Sequence, residues 1–287
     1  MQAQPSSQPT GADAARAHQL EDMTPVWPAE FEELLSPWGK TRLHAGINDP
    51  QFDFDNKLTP YANYKDFLDP QKSVAILDFL ESQWPVAQRH PLFTPLERET
   101  QWDLEMDYAF SPLSQKFYDL LCRSDGTTSP DLMPFFVDSG LLTMARSDSL
   151  KQFAEMLTGY ELVQTERDGI YIVCYEAGGY VSAHTDVKWA SSNEWEATAR
   201  PLAYVDIHLT FSTDAVAHQY LVIQNGNMLD DIRGGSPVNG SLSVYRLPFW
   251  HYTTPLVAKQ GREKDARRWV VMISFQIVGN NEPKLLG

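Results

Sequence analysis

The stretch Tyr175-Glu176-Ala177-Gly178-Gly179-Tyr180-Val181-Ser182-Ala183-His184-Thr185-Asp186 carries an imidazole and a carboxylate two residues apart. It follows an apolar, β-branched run from Ile170 to Cys174, the pattern of a buried strand, and turns through the Gly178-Gly179 pair. Side chains two apart on an extended backbone share a face, so His184 and Asp186 project together. A neutral ring nitrogen and a carboxylate oxygen offered to one point make two thirds of a 2-His-1-carboxylate facial triad, the donor set that holds Fe(II) with coordination positions left open. The third donor must be a distant histidine. His251, at the end of the run from Ser241 to Trp250, suits it: three expected strands separate it from Asp186, and a sheet that folds back would bring the two strands side by side. A turn histidine beside a solvated aspartate is the alternative without chemistry.

A basic cluster, Arg262, Lys264, Arg267 and Arg268, precedes the last apolar strand. An oxidase with a dicarboxylate co-substrate needs one buried guanidinium to hold the far carboxylate bidentately. Arg268 shares its face with Val270, Met272 and Ser274, and Arg267 shares its face with Trp269 and Val271. The first is the better candidate, but the adjacent pair leaves the choice open by one residue.

These residues need a frame. The periodicity predicts helices first: a stripe of Phe31, Leu34 and Leu35 after Pro28, and a helix capped by Asp69-Pro70 with Val74, Leu77 and Leu80 inward. A third opens at Ser111-Pro112, with Leu113, Phe117, Leu120 and Leu121 on one face, and a fourth runs from Ser147 to Thr158 and ends at Gly159. From residue 169 the period becomes two, predicting strands at 170–176, 180–186, 202–211, 219–224, 241–247 and 268–278. In the third of these, Val205, Ile207, Leu209 and Phe211 alternate with Tyr204, Asp206, His208 and Thr210. The apolar faces should meet the helices and the mixed faces should line an interior cavity, giving an α+β fold with helices packed on one sheet.

At 287 residues and 43% apolar content the chain can bury one sizeable core. A net charge of −15 argues against nucleic acid or an anionic membrane as partner. Cys122 and Cys174 make no disulfide framework, no apolar run is long enough for a membrane span, and the N-terminus shows no signal pattern, so a cytoplasmic protein is expected. Residues 1–24 read as a disordered tail, followed by a single domain over 25–287 with mainly helical support in 25–168.

His-x-Asp after a Tyr-x-x-Gly-Gly-type turn, a distal histidine after a Gly-led strand, and an arginine opening an apolar strand together resemble the Fe(II)/2-oxoglutarate-dependent oxygenase superfamily over roughly residues 169–278. The resemblance implies a double-stranded β-helix, or jelly roll, at 169–280 with helices on its larger sheet. It implies that His184, Asp186 and His251 are the iron ligands, that Arg268 salt-bridges the distal carboxylate of 2-oxoglutarate, and that Tyr175 contacts this co-substrate. Fe(II), 2-oxoglutarate and O2 would then oxidise an unactivated C–H, by hydroxylation or by desaturation or ring formation. The carboxylate at Asp186 speaks against halogenation, for which relatives carry a small residue there. A small-molecule substrate, such as an amino-acid derivative or secondary metabolite, is expected; a protein or peptide side chain, or a binding module without activity, are the alternatives. Where the family often has a Gly-Gly turn, this chain has Ala217-His218-Gln219-Tyr220. His208 falls on the expected interior face, and Trp189, Trp195, Trp250 and Tyr252 flank the ligand positions and could wall a substrate pocket.

Overall fold

The six strands expected from two-residue alternation form within a few residues of their expected limits. The computed structural model describes residues 26–45, 61–94, 115–122, 132–164, 170–185, 188–189, 201–202, 204–224, 230–233, 239–247 and 250–278. Eight strands carry the architecture: β1 (Ile170–Glu176), β2 (Tyr180–Thr185), β3 (Tyr204–Ser212), β4 (Leu221–Gln224), β5 (Asp230–Arg233), β6 (Ser241–Leu247), β7 (Trp250–Thr253) and β8 (Arg267–Ile277). Four pair in the order β6-β3-β8-β1 and four in the order β2-β7-β4-β5. The chain passes from one half to the other at every connection between successive strands of this set except β4–β5. Two antiparallel halves woven in this way are a jelly roll.

Residues N-terminal to this core add strands as well as helices. Tyr61–Tyr64 extends the larger half beyond β6, Pro91–Thr94 pairs with Gln115–Cys122, and Leu162–Gln164 pairs with the end of β8. Gln115–Cys122 pairs with both β1 and β2 and so joins the halves along one side. One expectation changes here: the segment around Phe117, Leu120 and Leu121 is a strand and not a helix. The i, i+4 spacing suited a helix, but β1 and β2 each present an edge of unpaired backbone, and satisfying both outweighs local propensity. Accordingly Phe117 turns toward the inner face while Tyr118 and Leu120 join the outer core.

The outer face of the larger half is the main core. Val205, Ile207, Leu209 and Phe211 of β3 and Trp269, Val271, Ile273 and Phe275 of β8 are all buried there. They pack against Ile76, Phe79 and Leu80 of α1 (Pro70–Ser82) and Leu150, Phe153 and Leu157 of α2 (Asp148–Thr158). The face assignment from alternation therefore holds. Both helices start as their sequence predicts: Asp69 accepts from the backbone N–H of Gln71 and Lys72, each at 3.0 Å, and Ser147 Oγ accepts from Leu150 N–H. Gly159 ends α2 at φ 73°.

The inward stripe of α1 differs from expectation. Ser73, Ile76, Phe79 and Leu80 are buried, whereas Val74 is 52% exposed. The small Ser73 faces the turn before β6, where Gly240 has φ +76° and a Cβ would strike the serine side chain. The stripe near Pro28 becomes a single 3-10 turn, Phe31–Leu34, followed by a helix at Pro37–Ala45. No helix among the described residues is long and apolar enough to cross a membrane. The expected N-terminal tail lies outside the described residues.

Candidate metal and anion site

β2 and β7 are neighbours in the smaller half, and their register sets His251 directly opposite His184. The two rings lie 4.4 Å apart between centroids. Two residues along β7, however, Thr253 pairs with Val181, so β2 carries one extra residue, a β-bulge, between positions 181 and 184. Strict alternation would send Val181 and His184 to opposite faces; with the bulge both line the interior cavity, together with His251. The bulge is thus what aims His184.

His184 Nδ1 lies 2.8 Å from the Ser182 carbonyl oxygen. A carbonyl only accepts, so Nδ1 carries the proton and the ring lone pair lies on Nε2. This is how a metal-ligating histidine is usually held. His251 is buried. Asp186 follows the last residue of β2 and lies outside the described residues. Among the described residues no group of three His, Cys, Asp or Glu side chains converges as a metal site. Two imidazoles and a carboxylate two positions after one of them form a donor set that fits Fe(II).

The other charged wall comes from β8. Arg268 lies between Tyr175 of β1 and Ser212 of β3 in the sheet register and lines the cavity. Its guanidinium sits 5.8 Å from the centre of the Tyr175 ring, and Nη1 donates to Gln219 Oε1 at 2.9 Å. Its Nε is buried with no hydrogen-bond partner. Among the described residues no carboxylate neutralises it.

Arg267, one residue earlier, faces the helices. Its Nη2 and Nε donate to Glu81 Oε2 of α1 at 2.5 and 2.8 Å, and Trp269 Nε1 donates to Glu81 Oε1 at 2.7 Å. Burial pulls the Arg267 pKa down, but the hydrogen bonds and charge of Glu81 outweigh this and hold it above the ordinary value. The alternation of one strand therefore pairs one arginine with α1 and turns its neighbour into the cavity.

That cavity measures about 190 Å³ and is walled by both halves, with Val173, Leu221, Val270 and Met272 among its apolar lining. His208 lines it too, its ring 4.1 Å from that of Tyr245, whose ring is in turn 6.4 Å from His251. Burial raises the Tyr245 pKa well above that of an ordinary phenol, which keeps the hydroxyl protonated. Of the aromatic residues expected to wall a pocket, Tyr252 points away from the cavity lined by its neighbours His251 and Thr253. Trp189 stands on a short strand paired with Pro201–Leu202. Trp195 and the rings of Trp189 and Trp250 lie outside the described residues. The residue that sequence reasoning missed is Gln219. It belongs to no motif, and it stands only at the start of the strand expected at 219–224, within the segment that departs from a glycine turn.

No protein-family model matches the chain, and no curated protein matches it by sequence. Among solved structures it is similar to a prolyl hydroxylase from Trichoplax adhaerens in complex with a hypoxia inducible factor oxygen degradation domain peptide. The identity is 11% and the TM-score 0.47, over 86% of this chain and 95% of that one. It is also similar to a Pseudomonas putida prolyl-4-hydroxylase, at 14% identity and TM-score 0.39, over 83% of this chain and 99% of that one. A third is SnoN, a non-heme alpha ketoglutarate dependent epimerase from nogalamycin biosynthesis, at 9% identity and TM-score 0.46, over 84% and 83%. The strand order carries the fold.

Proposed function

We propose that this chain is an Fe(II)- and 2-oxoglutarate-dependent oxygenase in which His184, Asp186 and His251 hold the iron and Arg268, backed by Tyr175, binds the distal carboxylate of 2-oxoglutarate. The observation that supports this most is one cavity lined both by a pair of cross-strand histidines and by a half-buried guanidinium that no carboxylate among the described residues neutralises. When bound, the iron couples O2 to two oxidations: 2-oxoglutarate becomes succinate and CO2, and a substrate C–H becomes C–OH.

The chain's own residues prepare that chemistry. The Ser182 carbonyl holds the His184 proton on Nδ1 and so presents Nε2. Arg268 offers charge-assisted hydrogen bonds to a carboxylate in a setting where burial strengthens them. Val173, Leu221, Val270 and Met272 give the cavity that holds the histidine pair and the guanidinium an apolar lining. Tyr245, held protonated, can donate a hydrogen bond beside His251. A cavity of this volume, with apolar and aromatic walls and a few convergent polar groups, favours a small-molecule substrate, an amino-acid derivative or secondary metabolite that is hydroxylated, or desaturated or cyclised by the same oxidant.

The test is turnover. With Fe(II) and ascorbate the protein should convert 2-oxoglutarate to succinate, and His184→Ala and His251→Ala should each reduce this below detection. Wild-type protein that binds neither Mn(II) nor 2-oxoglutarate in calorimetry would end the proposal. Succinate release stimulated by peptides and by no small molecule would move the substrate to a protein side chain.

A further inference from the structure

We infer that Gln219 is the positioning residue that holds Arg268 in the cavity while leaving its charge uncancelled, so that the site selects a 2-oxo acid bearing a second, distal carboxylate. The inference rests on the function proposed above and deepens it.

Gln219 is only 3% exposed and makes three hydrogen bonds. Its Nε2 faces the carbonyl oxygens of Gly179, at 3.2 Å, and Thr254, at 3.0 Å. Both can only accept, so both amide protons are used there and Oε1 is the atom left to face Arg268 Nη1, at 2.9 Å. The amide orientation is thus dictated by its partners.

Those partners are informative. Gly179 immediately precedes β2, which carries His184, and Thr254 immediately follows β7, which carries His251. The same junction is tightened by Leu256 N–H donating to the Gly179 carbonyl and Tyr220 N–H donating to Thr254 Oγ1. One side-chain amide therefore ties both histidine-bearing strands to the arginine across the cavity. It fixes the span from metal pair to guanidinium.

The choice of an amide matters as much as its position. A glutamate at 219 could not donate to the two carbonyls, and it would pair with the guanidinium as Glu81 pairs with Arg267. A neutral acceptor orients one N–H of Arg268 and leaves the positive charge for an incoming anion.

The readout is a preference ratio. Mn(II)-loaded protein is titrated anaerobically with 2-oxoglutarate and with 2-oxobutyrate, which shares the chelating 2-oxo acid but lacks the distal carboxylate. Gln219→Glu should lower the preference for 2-oxoglutarate by about tenfold or more while 2-oxobutyrate affinity changes by less than about threefold. Gln219→Met, which removes the pin without adding charge, should lower the ratio by roughly three- to tenfold. Because the ratio is internal to each variant, a loss of stability cancels, and Gln219→Met alone decides the matter if the glutamate variant does not fold. Equal weakening of both acids, or an unchanged ratio, overturns the inference and leaves the oxygenase proposal standing. Wild-type protein that binds neither Mn(II) nor either acid overturns both.

Discussion

Arg267 and Arg268 are adjacent and chemically identical, and only their faces differ. Arg268→Met should weaken 2-oxoglutarate binding by about two orders of magnitude, measured by calorimetry on Mn(II)-loaded protein. Removing a half-buried charge that no carboxylate among the described residues compensates should also leave the ligand-free protein about as stable as wild type, the trade expected where a site is built for function. Arg267→Met should do the reverse. It leaves the half-buried Glu81 carboxylate without its cation and should cost about 2 kcal/mol in urea denaturation, with 2-oxoglutarate affinity within about threefold of wild type. If both variants lose binding equally, the two faces have been assigned wrongly.

At the scale of elements, α1 acts as a brace. Glu81, in its last turn, holds Arg267 and Trp269, the residues on either side of Arg268. Glu81→Ala leaves a half-buried guanidinium and the indole N–H of the buried Trp269 without their acceptor and should cost about 3 kcal/mol by chemical denaturation. A further contact of α1, with the turn before β6, is steric. Gly240→Ala puts a methyl group against Ser73 at a backbone conformation that L residues rarely adopt, so a loss of about 1–3 kcal/mol is expected by the same measurement. An unchanged midpoint would mean that the turn before β6 moves away from α1 freely.

For the molecule as a whole, the buried acids point to alkaline sensitivity. Burial, followed by the charge of Glu81, raises the Cys174 thiol well above its ordinary value; burial does the same for Tyr245. Tyr118 is pushed up to about 12 by burial and then by Glu176. In each case the folded pKa exceeds the unfolded one, so as pH rises the unfolded chain releases protons that the native state retains. Stability is therefore full below about pH 8.5, declines first through Cys174, and from about pH 10 also through the tyrosines, by about 1.4 kcal/mol per pH unit for each fully buried group. Urea midpoints at pH 8, 9.5 and 10.5 should fall progressively. A flat series would show that these groups are solvated in the native state.

What the sequence determined by itself is whatever depends on the backbone period. Alternation in β3 and β8 separates Val205, Ile207 and Trp269 from His208, Arg268 and Met272 without knowledge of any partner, because successive residues of a strand must face opposite ways. Asp69, Ser147 and Gly159 announce their helix ends because capping is settled within one turn. Only the tertiary structure decided the rest. The bulge that turns His184 inward exists because β2 pairs with β7; Gln115–Cys122 is a strand because two edges needed a partner; Gln219 acquires a task because Gly179, Thr254 and Arg268 meet around it. Each of these follows from contacts between residues far apart in the chain, which no local period encodes.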